Sequence, residues 1–178
     1  MSDRLIELRL ENRRLKEQVQ NMENKVLNLV GAINIQSSGV FQDTKHVLNE
    51  RLIELIGTTE VQLNVVAPKV DRFYSTELMR IASKGIPVLL ITNDRGGLPE
   101  EYQKYYDEIK ASSGVKVINN PNVRYLLVFN EKNAIYSGGS LDKAELERSI
   151  LIATTVEARS KLKKIASIFS MMLPSFMR

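Results

Sequence analysis

The sequence predicts an α/β domain, a mixed sheet flanked by helices, preceded by a parallel two-stranded coiled coil. Three observations carry this: a heptad seam through the first heptads, a change of hydrophobic period after Gly57, and strand–helix alternation that gives way to closely spaced strands.

Taken by sevens, Leu5, Asn12, Val19, Val26 and Ile33 fall at one core position, and Leu8, Leu15, Met22 and Leu29 at the other. Only Asn12 interrupts the apolar pattern. β-branched residues at a, Leu or Met at d and a single Asn at a favour a parallel dimer, because the two asparagines can pair across the seam. These nine residues are the expected dimerisation surface, and homodimer formation follows. A strict a/d seam is narrower than the stripe that a helix lying on its own domain would bury. Leu10, Leu27 and Val30 lie outside the seam. Gln36-Ser-Ser-Gly39 is poor in helix formers and predicts a break there. The expected division is a coiled-coil helix over 1–36 and an α/β domain over 37–178.

After the break, Phe41, Leu48, Leu52, Leu55 and Ile56 recur at helical spacing and stop at Gly57. Short β-rich runs follow at Val61 to Ala67, Pro87 to Thr92, Val115 to Ile118, Arg124 to Phe129, Ala134 to Tyr136 and Ser149 to Ala153. Helical segments over 71–84 and 99–111 separate the first three, which predicts parallel strands at the start. The later runs stand too close for helical crossovers and predict antiparallel pairing around Asn130-Glu-Lys-Asn133. A last helix over 156–172 puts Leu162, Ile165, Phe169 and Met172 on one face, which should cover the sheet.

Composition narrows the function classes. With 43% hydrophobic and 26% charged residues the chain reads as an ordinary globular protein. No apolar run approaches the ~20 residues of a membrane span, and the charged start shows no signal peptide, so no membrane association is expected. Cysteine is absent and His46 is the single histidine, which excludes disulfides, thiolate metal sites and imidazole clusters and fits a cytoplasmic location. No cofactor is expected. The net charge of +4 resides in residues 156–178, where Arg159, Lys161, Lys163, Lys164 and Arg178 outnumber Glu157. Such a cluster could meet nucleic acid or an acidic partner. It also reads as the solvated face of one helix, which is the preferred reading.

Asn122-Val-Arg-Tyr-Leu-Leu-Val-Phe-Asn-Glu-Lys-Asn-Ala-Ile-Tyr-Ser-Gly-Gly-Ser-Leu-Asp142 resembles the strand pair that carries the HxKxxxxD and GSxN motifs of the phospholipase-D superfamily. Leu52 to Pro68 and Ile81 to Ile91 are similar to that family's opening helix–strand units, so the likeness spans residues 42–173. It implies one half of the phospholipase-D fold. Val123 stands at the histidine, Tyr125 at the lysine and Asn130 at the aspartate, while Gly139-Ser140-Leu141-Asp142 replaces GSxN. Family members attack a phosphodiester with histidine, and lysines stabilise the developing charge. Valine does neither, so the resemblance implies a domain that is not an enzyme.

A non-catalytic relative similar in build is the effector-binding domain of archaeal TrmB-type transcription regulators, which follows a winged helix and a coiled coil. Here the coiled coil and α/β domain stand in that order, and no room for a winged helix precedes Leu5. The resemblance implies a dimeric sensory or regulatory module that binds a ligand or a partner protein. A structural adaptor for oligomer assembly, or a nucleic-acid binder using the basic last helix, are the alternatives. If a recess remains at the motif strands, Arg72, Arg124, Tyr125, Asn130, Ser140 and Asp142 should lie near it, at the edge where open α/β sheets take ligands. Asp94-Arg-Gly-Gly97 lacks the lysine–serine pair of a phosphate loop and reads as a turn with a helix start.

Overall fold

In the computed structural model the residues described are 11–19, 33–38 and 47–177 apart from 150. The chain divides into two compact units, Met1–Asn34 and Ile35–Arg178.

In the first unit, residues 11–19 form a helix, α1, with Asn12, Leu15 and Val19 all exposed. Leu5, Leu8, Met22, Val26 and Leu29 of the expected seam lie outside the described residues. Ile33 corrects the seam: Ile33–Ser38 is a strand, β1, and not the end of a heptad helix followed by a break at 36–39. Ile33 and Ile35 are β-branched residues two apart, the period of a strand, and β1 has a neighbour to pair with at the sheet edge.

The second unit holds α2 (Val47–Gly57), β2 (Leu63–Val66), α3 (Arg72–Ser83), β3 (Val88–Thr92), α4 (Glu100–Ala111), β4 (Val115–Asn119), β5 (Leu126–Phe129), β6 (Ala134–Ser137), α5 (Lys143–Arg148), β7 (Leu151–Val156) and α6 (Arg159–Met171). The sheet order is β1-β7-β6-β5-β2-β3-β4. β2, β3 and β4 run parallel, while β5 pairs antiparallel with both β2 and β6, and β6 with β7. The expected mixed sheet is present. One expectation fails: a short helix, α5, joins β6 to β7, so the last strand begins at Leu151 rather than Ser149.

Every residue of β2, β3 and β5 is buried, as central strands covered on both faces require. On one face Leu52, Leu55, Leu63, Val65, Leu78, Ile81, Leu90 and Ile109 build a core beneath α2 to α5. On the other, Val66, Leu89, Ile91, Leu127 and Phe129 meet Leu162, Phe169 and Leu173 of the C-terminal segment. Burying each such Leu or Phe contributes roughly 1.5–3 kcal/mol, so both layers are integral to the head. α3 is closed by a turn in which the amide of Gly85, at φ 86°, donates to the Ala82 carbonyl at 3.0 Å. Gly114 is needed for a second reason, since a Cβ there would stand 3.3 Å from the Ala82 side chain and φ is +84°.

Among the described residues no helix is long and apolar enough to cross a membrane.

Candidate functional site

The register places one edge of the sheet in view. β2, β3 and β4 end there, β5 starts there because Leu127 pairs with Val66, and β6 ends there because Ser137 pairs with Leu126. The two motif segments therefore meet at the C-terminal edge of the parallel strands, where open α/β sheets collect ligands.

The side chains at that edge go two ways. Val123 is 3% exposed and belongs to the apolar layer beneath α6. Tyr125 packs against the same layer, donates its hydroxyl to the Met172 sulfur at 3.4 Å, and holds its ring 5.6 Å from that of Tyr136. Burial pushes the Tyr125 phenol above its ordinary pKa. Arg124 is exposed but donates from Nη1 to the carbonyls of Pro121 and Val123 at 2.8 and 2.9 Å, which folds it back on its own loop.

Asp142 turns to the opposite face. Its carboxylate accepts from the Glu145 amide at 2.9 Å, capping α5, and from the Tyr102 hydroxyl on α4. Lys69, just past β2, completes this cluster: its ammonium lies 3.8 Å from Asp142, 3.1 Å from Glu145 and 3.1 Å from the Tyr102 hydroxyl. It also sits 4.3 Å from the centre of the Tyr102 ring. Burial lowers the Lys69 pKa, but hydrogen bonds to Tyr102 and Glu145 outweigh it and hold the ammonium above its usual value. Burial and the bond to Asp142 raise the Tyr102 phenol, against the pull of Lys69. Ser140, two residues before Asp142, is buried and follows Gly139 at φ 78°.

Asp71 repeats the capping device. Its carboxylate accepts from the Tyr74 amide at the start of α3 and from the Lys143 amide at the start of α5, both at 2.8 Å. Burial pushes this carboxyl up, and the two amides draw it partly back. The starts of α3 and α5 are thereby tied together, with Arg72 on one and Lys143 on the other.

Of the six residues expected near a recess, Arg124, Tyr125, Ser140 and Asp142 reach the edge, and Arg72 stands on the first turn of α3 beside it. Asn130 does not. It follows the far end of β5, where its amide donates to the Leu55 carbonyl at 3.0 Å and to Thr59 Oγ1 at 3.2 Å. Its side-chain oxygen accepts from the amides of Lys132 and Asn133, so it organises the β5–β6 turn. The six do not form one group: two antiparallel strands carry their ends to opposite edges, and neighbouring positions point to opposite faces. Lys69 and Glu145 carry no sequence signal for this site, while Tyr102, with Tyr105 and Tyr106, is open from the sequence to stacking on a ligand or to packing, and here it bonds to Lys69 and Asp142. Asp142-Lys-Ala-Glu145 is an Asp-x-x-Glu helix start and was the available signal for α5. The Asp94 segment is a turn, its Arg95 bound to Asp107 at 2.8 Å. His46 lies outside the described residues. Among the described residues no group of three histidine, cysteine or acidic side chains could hold a metal.

No protein-family model matches the sequence, and no protein of established function matches it significantly by sequence. Comparison with solved structures decides the fold. NucT from Helicobacter pylori superposes at a TM-score of 0.65 with 14% identity, over 79% of this chain and 95% of its own. Nuc from Salmonella typhimurium, a phospholipase D family member, gives 0.64 at 12% identity, over 78% and 92%. The chain has a phospholipase-D-like fold. TrmBL2, an archaeal chromatin protein described as showing a novel mode of DNA binding, matches at 0.54 with 8% identity, over 89% of this chain and 63% of its own. In this phospholipase-D-like head, the edge where the two motif segments meet is filled on one side by Val123 and Tyr125 and on the other by the Lys69–Tyr102–Asp142 cluster.

Proposed function

We propose that this chain is a non-catalytic regulatory module that dimerises through its N-terminal helix and binds a partner protein or ligand through its phospholipase-D-like head. The observation that carries the reading is Val123, which stands where the resembled family keeps its nucleophile and is buried under α6. A phosphodiester could not be attacked from that position, and Tyr125 at the lysine position spends its hydroxyl on Met172. The likeness to TrmBL2 supports a regulatory setting, because a chain of similar fold occurs there in an archaeal chromatin protein that binds DNA.

The adaptor reading draws on the same filling. An edge closed by Val123, Tyr125 and Met172 offers a small molecule little, and a head that only spaces or assembles proteins needs no cavity there.

The test has two arms. Purified protein incubated with a generic phosphodiester should release no more product than buffer. Affinity capture followed by reconstitution from purified components should yield a complex that requires the head over 37–178 and not the N-terminal helix alone. Turnover abolished by His46→Ala would overturn the non-catalytic reading, and a complex that needs only the helix would favour the adaptor.

A further inference from the structure

On its α6 side the sheet is not covered to its end. Ala134 on β6 and Val156 on β7 are buried in the layer beneath α6. Further along the same face of these two strands, Tyr136 is 49% exposed and Ile152 67%. The surface continues onto the helix: the Tyr136 ring lies 5.6 Å from that of Tyr125, the Tyr125 hydroxyl meets Met172, and one turn back on α6 stands Ile168, 54% exposed. No residue of β6, of β7 or of its neighbour β1 is charged, in a chain with 26% charged residues. Charged side chains stand at the ends of the face, Glu157 and Lys161 at one and Arg124 at the other. An uncharged, partly aromatic centre inside a polar rim has the composition of an interface between proteins.

We propose that this face of β6, β7 and α6 docks against the same face of a second copy of the chain, across a two-fold axis. The inference rests on the N-terminal dimer reading above and adds a second contact to it. Two properties of the face select this occupant. The first is the absence of charge: a nucleic acid or a charged peptide would lose hydration against apolar side chains with no counter-charge in return, whereas a copy of the face brings only apolar groups and the hydroxyls of Tyr136 and Thr154. The second is size. Three strands at ~4.8 Å spacing and up to six residues at ~3.3 Å each give roughly 300 Å² of sheet, well below the ~800 Å² per partner of a stable dimer. A contact that small does not hold free chains together, but it forms readily once the N-terminal helices keep two heads at high local concentration.

The chain has no cysteine, so a single introduced one reports a single position. In the full chain, Ile152→Cys treated with a flexible bismaleimide should give covalent dimer at least about tenfold faster than Lys116→Cys, exposed on β4 at the opposite edge of the sheet. Adding Tyr136→Glu should return that rate to the control value, while light scattering still gives twice the chain mass and circular dichroism shows the fold kept. Ile168→Glu on α6 serves as a second disruption with the same expected result. Equal rates at positions 152 and 116 would overturn the proposal, as would a fast rate that survives both glutamate variants. Dimer mass without the crosslink sinks the face and leaves the N-terminal dimer standing. A monomer mass sinks that dimer instead, and the crosslink repeated at about 1 mM chain, where a weak contact is still populated, then decides the face alone. Association with phosphatidylcholine and phosphatidylserine vesicles, lost in Tyr136→Glu, would assign the face to a lipid surface and overturn the second copy.

Discussion

The side-chain amide of Asn130 donates to the carbonyl of Leu55 at 3.0 Å, which joins the turn after β5 to the last turn of α2. Thr59 receives its second hydrogen, and the amides of Lys132 and Asn133 reach its oxygen. Asn130 is 4% exposed, so each of these bonds is made where water cannot replace it. Asn130→Ala should destabilise the head by about 2–4 kcal/mol, since several buried groups lose their partner at once. Urea unfolding measures it, and a change below about 0.5 kcal/mol would contradict the role.

Placing histidine and lysine at positions 123 and 125 should not create a phosphodiesterase. Val123 is buried in the layer beneath α6, and an imidazole there lacks a hydrogen-bond partner, at a cost of roughly 1–3 kcal/mol. The Val123→His, Tyr125→Lys double variant should therefore unfold at lower denaturant and show hydrolysis at the buffer rate. Turnover well above buffer would mean that the edge opens to substrate.

The Lys69–Tyr102 pair makes the head sensitive to alkali. Both groups have folded pKa values raised above their ordinary 10.5 and 10.0. A group that binds its proton more tightly when folded contributes stability below its unfolded pKa and loses it as pH rises through the folded value. Stability should then fall above about pH 10, and Tyr102→Phe should flatten that decline. Denaturant titrations between pH 8 and 11 report the slope, and identical slopes for wild type and variant would refute the coupling.

Dimerisation through the N-terminal helix is testable at Asn12. Light scattering at micromolar concentration should give twice the chain mass. Asn12→Val should raise the melting temperature of the helical signal while broadening the range of oligomers, because a buried polar residue at a trades stability for register. A monomer mass for the wild type would remove the coiled coil from the account.

Local patterns carried much of the fold. The stop at Gly57 and the mostly apolar runs of β2, β3 and β5 place most of α2 to α4 and the central strands within a few residues of where they stand, because capping and burial on both faces leave marks that need no distant partner. α5 escaped because six residues are too few for a helical period, although Asp142 and Glu145 mark its start. β1 escaped for the opposite reason: Ile33 satisfied a heptad count, and only a sheet edge willing to accept it decides in favour of a strand.

The amino-acid sequence by itself determined that histidine and lysine are missing from the motif strands, since residue identity at a register needs no coordinates. Which groups meet was decided by the tertiary structure alone. Lys69, Tyr102 and Asp142 come from three elements separated by 33 and 40 residues, and no short-range pattern links them. Asn130 illustrates the same limit from the other side. It lies five residues from Tyr125 in sequence, but a strand four residues long carries the two to opposite edges of the sheet. Proximity along an extended chain costs about 3.3 Å per residue, and the fold spends that distance in separating what the sequence had placed side by side.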